Sequence, residues 1–245
     1  GRIDKQVKPS SPAFFVPYIR AYFLNSQSKK RAYIVGKEHY DTGNDLFSLM
    51  LDQRMNYSCG YWKIAENLDQ AQVHKLDLVC RKLHLKPGMK VLEIGCGWGG
   101  FAKYAAKNYG VSVHGVTVSQ EQMEYAEQSC RGLETVFELK DYRELNTKYD
   151  SIVSIGMFEH VGYKNYRSYM EVARRCLSDN GLFLLHTIGR NTSTRATDPW
   201  TNKYIFPNGM IPSPAQISKS AQGLFVIEDW HNFGADYDPT LMAWY

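Results

Sequence analysis

The chain has 245 residues, of which 44% are hydrophobic and 22% charged, a balance that supports a buried core and excludes wholesale disorder. Its 29 Lys and Arg against 25 Asp and Glu leave a net charge of +4; one short basic run, Lys29-Lys30-Arg31, argues against nucleic acid, which requires a denser stripe. The five cysteines are odd in number and none are spaced as Cys-x-x-Cys, which disfavours a disulfide framework or a zinc knuckle and suits a reducing cytoplasm.

Residues 1–35 read as an N-terminal helical lead-in or linker, with an aromatic helix-like run from Phe14 to Phe23 followed by a polar basic segment. That run suits an amphipathic helix at a membrane surface or a helix packed on the main domain. The apolar stretch Ala13 to Leu24 is too short to span a bilayer and is interrupted by Pro17 and Arg20. Residues 36–245 read as one larger domain. Apolar side chains at Leu68, Ala71, Leu76, Val79, Cys80 and Leu83 predict a helix over Leu68 to Leu85, stopped by Lys86-Pro87-Gly88.

From there strands and helices alternate. Strands are expected at Lys90–Ile94, Val111–Val116, Thr135–Leu139, Ser151–Ile155 and Leu182–His186, and another at Phe225–Trp230. Helices are expected at Phe101–Lys107, Gln120–Cys130 and Tyr166–Leu177. This order predicts an α/β fold, a mostly parallel Rossmann-like sheet with helices on both faces.

The first of these strands runs into Gly95-Cys96-Gly97-Trp98-Gly99-Gly100 and then a helix, a turn that lets a ligand approach the backbone. The spacing also satisfies G-x-G-x-x-G, which by itself is weak evidence for a dinucleotide. Glu93 lies two residues before the first glycine, where a carboxylate suits the cationic amino group and sulfonium of S-adenosylmethionine better than a pyrophosphate. The second strand ends in Val116-Thr117-Val118-Ser119, without the acid that a dinucleotide ribose needs. The methyl donor is therefore favoured over NAD.

Further ionisable groups stand where strands end: Glu159 and His160 after the fourth strand, and His186 at the end of the fifth. Strand ends in such a sheet converge on one crevice, so these groups are candidates for chemistry.

The run Val91 to Gly99 resembles the first motif of class I methyltransferases, and Asp141-Tyr142 the acidic turn that contacts adenine there. Lys37-Glu38-His39-Tyr40-Asp41, Tyr57-Ser58-Cys59, Gly156-Met157-Phe158-Glu159-His160, Leu185-His186-Thr187-Ile188 and Phe233-Gly234-Ala235-Asp236-Tyr237 extend the likeness. Together they resemble the cyclopropane-fatty-acyl-phospholipid synthases and the related mycolic acid cyclopropane synthases, from about Ser26 to Tyr245.

The resemblance implies methylene transfer from S-adenosyl-L-methionine to the cis double bond of an unsaturated acyl chain of a membrane phospholipid. By position it implies that Cys59, Glu159, His186, Tyr237 and the backbone of Ile188 hold a bicarbonate ion that serves as base, with Glu159 as direct base the rival assignment. It likewise implies that Tyr57, Ser58, Gly95, Gly97, Thr117, Gln122 and Asp141 line the donor site. It further implies a cytoplasmic protein peripheral to the inner membrane, a homodimer when full length. Relative to the family, the 36–245 catalytic domain reads as truncated at both ends. A methyltransferase acting on another lipid or small molecule, and a non-catalytic ligand-binding domain, are the competing readings.

Overall fold

The computed structural model describes residues 44–195, 200 and 209–245. The lead-in over 1–35 and the Lys37–Asp41 segment lie outside the described residues.

Five strands form one sheet: β1 (Lys90–Ile94), β2 (Ser112–Thr117), β3 (Thr135–Leu139), β4 (Tyr149–Ile155) and β5 (Leu177–His186). Their order is β3-β2-β1-β4-β5 and every neighbouring pair is parallel. The chain first winds outward from β1 to β3, then returns to place β4 on the other side of β1. The carboxyl ends of β1 and β4 thus flank a topological switch point, where ligands of open α/β sheets bind.

Seven helices accompany the sheet among the described residues: α1 (Asn44–Met50), α2 (Leu68–Lys82), α3 (Gly100–Tyr109), α4 (Gln120–Ser129), α5 (Tyr166–Cys176), α6 (Pro214–Ala221) and α7 (Tyr237–Trp244). Local chemistry fixes several of their ends. Asn67 and Ser119 cap α2 and α4 by accepting from the amides of Gln70 and Gln122, and α6 opens with a Ser213/Gln216 capping box and Pro214. Gly110 closes α3 in the left-handed conformation at φ +65°.

The strand period of two sorts side chains into two cores. Leu92, Ile94 and Ile152 pack with Tyr169, Met170 and Ala173 of α5. Val91, Val113 and Val153 pack on the opposite face with Leu76 and Val79 of α2 and Phe101, Ala102 and Ala105 of α3. With both faces covered, the inner strands are almost continuously buried, so that even Glu93 of β1 and Ser151 and Ser154 of β4 are enclosed.

Two expectations need correction. β5 begins at Leu177 rather than Leu182, directly after α5. Between the pairs Tyr149↔Leu177 and Ser151↔Leu182, β4 advances two residues while β5 advances five, so the strand bulges outward and returns through Gly181. A Cβ there would lie 2.6 Å from the Asp150 carbonyl oxygen. Phe225–Trp230 is not a strand. Phe225 packs against the Phe183 ring, but Val226 is 85% exposed and Trp230 51%, and no described strand pairs with them. Their β-propensity is expressed only where a ladder partner exists.

Candidate active site

The glycine turn after β1 is held by the Gly95 and Cys96 amides, both donating to the Val116 carbonyl at 2.9 and 3.1 Å. Its glycines serve different needs. A Cβ on Gly95 would lie 2.6 Å from Met157 Cγ, so Gly95 permits packing against the end of β4. Gly97, at φ +52°, has nothing within 4 Å of a Cβ and faces open space, the shape expected of a cradle. Glu93 is buried beneath the turn and accepts from the Ala102 amide at the start of α3; burial raises its pKa well above the ordinary carboxylate range.

At the end of β2, Thr117 Oγ1 donates to Gln122 Oε1 at 3.0 Å, joining the strand to the first turn of α4. Both residues are buried beside the turn. Asp141 follows β3 and is buried, but its carboxylate is engaged locally. It accepts from the Arg143 amide at 2.9 Å and pairs with the Arg143 guanidinium at 2.7 Å. Its direct partners are thus those of a turn cap, and adenine contact rests on its place at the strand end.

The Tyr57-Ser58-Cys59 segment reaches the same crevice from the N-terminal side of α2. Gln72 Nε2 donates to the Ser58 carbonyl at 2.8 Å, and Lys75 Nζ donates to Ser58 Oγ at 2.7 Å. A Cβ on Gly156, at the end of β4, would lie 3.7 Å from Ser58 Cβ, which puts this segment against the switch point.

From the other end of the chain, α7 clamps the segment. The Gly60 amide and Trp62 Nε1 both donate to Thr240 Oγ1, at 3.1 and 2.8 Å, and that hydroxyl donates to the Asp236 carbonyl at 2.7 Å. Trp62 N donates to Asp236 Oδ2 at 2.8 Å. This brings Cys59 Sγ within 4.0 Å of Thr240 Oγ1, on the same helix as Tyr237. Around them lie aromatic faces, with Tyr57 and Tyr237 both against Trp244 at 5.1 and 6.1 Å, and His186 stacked on Phe233 at 5.4 Å.

Glu159 sits in a single 3-10 turn, Phe158–His160, directly after β4. Ile188 N donates to Glu159 Oε1 at 2.7 Å, which ties the ends of β4 and β5 together. The Ile188 amide, expected to face a bound anion, is thus engaged by Glu159 in this structure. Glu159 Oε2 and His186 Nδ1 are both sealed from solvent without a hydrogen-bond partner.

The electrostatics show which groups share the pocket. The Tyr237 hydroxyl is raised by burial and then by the charges of Cys59, Glu159 and Tyr57, which lie within electrostatic range of it. Burial pushes the Cys59 thiol up to about 11 and raises Glu159, against the pull of the Ile188 amide. Burial and the nearby Lys75 ammonium push His186 down to about 3, so its imidazole is neutral at pH 7. The pocket therefore offers a thiol, a phenol and a neutral imidazole around one carboxylate. Such a set can donate to a small oxyanion while the carboxylate accepts that ion's own O–H.

Sequence reasoning missed Lys75, Gln72 and Thr240. Gln72 and Lys75 carried a readable signal, since they fall within the same apolar stripe of α2 as Ala71, Leu76 and Val79. Polar residues on a buried stripe need partners. Thr240 carried no such signal, because the Gly60 and Trp62 donors it serves lie 180 and 178 residues away.

Residues 27–245 match the family described as mycolic acid cyclopropane synthetase. The cyclopropane-fatty-acyl-phospholipid synthase of Escherichia coli (strain K12) is 63% identical over 225 residues, covering 92% of this chain and 59% of that protein. A probable fatty acid methyltransferase of Pseudomonas putida is 39% identical over 221 residues, covering 84% of this chain and 56% of that protein. Among solved structures, the cyclopropane synthase MmaA2 from Mycobacterium tuberculosis aligns with a TM-score of 0.81 at 31% identity, covering 86% of this chain and 81% of that one. The mycolic acid cyclopropane synthase CmaA1, complexed with SAH and CTAB, gives 0.80 at 31% identity, with the same shares covered. The sheet order, the glycine cradle and the family match agree: this chain belongs to the mycolic acid cyclopropane synthetase family.

Proposed function

We propose that the chain carries the catalytic machinery for adding a methylene group from S-adenosyl-L-methionine across the cis double bond of an unsaturated phospholipid acyl chain. The observation that carries this reading is the pair of sealed, unpartnered polar atoms, Glu159 Oε2 and His186 Nδ1, on residues that follow β4 and end β5 beside the switch point, with the His186 ring stacked on Phe233. The likeness to the Escherichia coli cyclopropane-fatty-acyl-phospholipid synthase supports the substrate, and the SAH of the solved CmaA1 complex supports the donor. The chain spans 59% of the length of that Escherichia coli relative.

When bound, S-adenosylmethionine supplies an electrophilic methyl group and bicarbonate a mobile proton acceptor. The chemistry they would supply is methyl transfer to an alkene carbon with S-adenosylhomocysteine as the leaving group, and uptake by the anion of the proton released from the new methyl as the ring closes. The residues must hold both partners in line and exclude water. Tyr57, Ser58, Gly95, Gly97, Thr117, Gln122 and Asp141 are assigned to the donor. Cys59, His186 and Tyr237 are assigned to the anion, with Glu159 orienting its O–H; the Ile188 backbone serves the anion through Glu159, whose Oε1 its amide holds at 2.7 Å. Aromatic faces such as Tyr237 stabilise positive charge developing on the acyl chain.

Lipid mass spectrometry on vesicles of unsaturated phospholipid, with donor and with or without added bicarbonate, tests the proposal. The expected product has acyl chains heavier by one methylene that lack the double bond, and its yield falls when bicarbonate is depleted. Methylated head groups with intact alkenes would overturn it.

A further inference from the structure

Lys75 carries a buried charge for which the scheme above has no use. Only 1% of its surface is exposed. Its one hydrogen bond is to the neutral Ser58 hydroxyl, and it joins no ion pair among the described residues. The titratable groups that face it at longer range are Asp52, Cys59, Glu93 and His186. Asp52 is already engaged by Asn56 and Arg54; Glu93 accepts from the Ala102 amide, its Oε2 makes no hydrogen bond to Lys75 or any other group, and burial raises its pKa well above the ordinary carboxylate range, which removes it as a paired anion. A buried ammonium without a paired anion is costly, and an apolar side chain of similar size fills such a place at lower cost. Packing therefore does not account for Lys75.

A serine hydroxyl has one proton and two lone pairs, whereas an ammonium only donates. Ser58 Oγ must accept from Lys75, so its own proton is left to donate elsewhere, strengthened by the charge behind it. Ser58 lies against the end of β4, next to the glycine cradle. The carboxylate is the anionic group of S-adenosylmethionine.

We propose that Lys75 is a positioning residue for the methyl donor, acting through Ser58 Oγ to present a positively biased hydroxyl to the donor's carboxylate. This rests on the reading that Tyr57 and Ser58 line the donor site. Burial pulls the Lys75 ammonium down to about 8, so it is mostly protonated at neutral pH and loses its proton just above.

Calorimetry on the full chain tests this with S-adenosylhomocysteine and its decarboxylated analogue, in wild type, Lys75→Met and Lys75→Gln. Wild type should prefer the carboxylate-bearing ligand by about tenfold or more. Both variants should reduce that preference to within about threefold, by weakening S-adenosylhomocysteine while leaving the analogue unchanged. Lys75→Gln keeps a donor for Ser58, so it separates charge from packing. The wild-type preference should also fade as pH rises through about 8. A preference unchanged in both variants, equal weakening of the two ligands, or a preference insensitive to alkaline pH would overturn the inference while leaving the donor site as read. A wild type that does not distinguish the ligands would instead remove Ser58 from the carboxylate end, and the inference with it.

Discussion

Glu159 is asked to be buried, to order the β4–β5 junction and to leave one oxygen free. Its two oxygens divide the work: Oε1 accepts from Ile188 N, and Oε2 is unpartnered. Glu159→Gln preserves the first role, because an amide oxygen still accepts from Ile188, and removes the anionic acceptor. Ring formation should fall on the order of 100-fold, with donor affinity changed less than about threefold. Equal loss in both, read by calorimetry and lipid product, would make the residue structural. The pH dependence follows from its raised pKa. The carboxylate form is needed for accepting, so activity is lost as pH falls through a value above 4.5. Stability has the opposite sign. A raised folded pKa means that stability is complete below the unfolded value and diminishes as pH rises through the folded one. Glu159→Gln should therefore gain melting temperature relative to wild type between pH 4 and pH 7; a constant difference across that range would contradict the burial penalty. Neutral His186 contributes no activity change near pH 6.5, since it titrates near 3. Glu159 and His186 were legible in the sequence as ionisable groups ending apolar strands. Lys75 was legible only as a polar residue on the apolar stripe of α2; its partner Ser58, 17 residues away, was not.

At the scale of elements, the sheet was readable because strand patterning is local: β1 and β3 have their expected bounds, and β2 and β4 differ by one or two residues at an end. The bulge in β5 and the fate of Phe225–Trp230 were not readable, because each is decided by what lies alongside. The clamp by α7 is non-local in the same sense. Thr240 Oγ1 uses its full capacity, accepting from Gly60 N and Trp62 Nε1 and donating to Asp236 O, at 0% exposure. Thr240→Val keeps the shape and removes all three bonds, leaving two buried donors unsatisfied. A loss of about 2–4 kcal/mol is expected on chemical denaturation. Because the same contacts hold the Cys59 segment against α7, with Cys59 Sγ 4.0 Å from Thr240 Oγ1, turnover should fall more than donor affinity, while the glycine cradle stays intact. Wild-type turnover in Thr240→Val would show that α7 is not what sets the Cys59 position.

At the scale of the molecule, the crevice is built from both layers of the fold. Ser58 is held by α2 on one face of the sheet, Glu159 leads into α5 on the other, and the turn after β1 lies between them. A ligand in the crevice joins the two layers, so binding should be read by the stability of the whole domain. With S-adenosylhomocysteine at 100 times its dissociation constant, linkage gives about 2.7 kcal/mol, which for a domain of this size is roughly 5–10 °C in melting temperature. Gly97→Val separates this effect from folding. The φ of +52° strains a β-branched residue, so the ligand-free protein should melt a few degrees lower. Nothing stands within 4 Å of the new Cβ, so the variant folds, but its side chain projects into the space assigned to the donor. The ligand-induced rise should then vanish. A folded Gly97→Val protein that retains the full rise would mean that the donor does not lie in this cradle, and that the switch point of the sheet serves some other ligand.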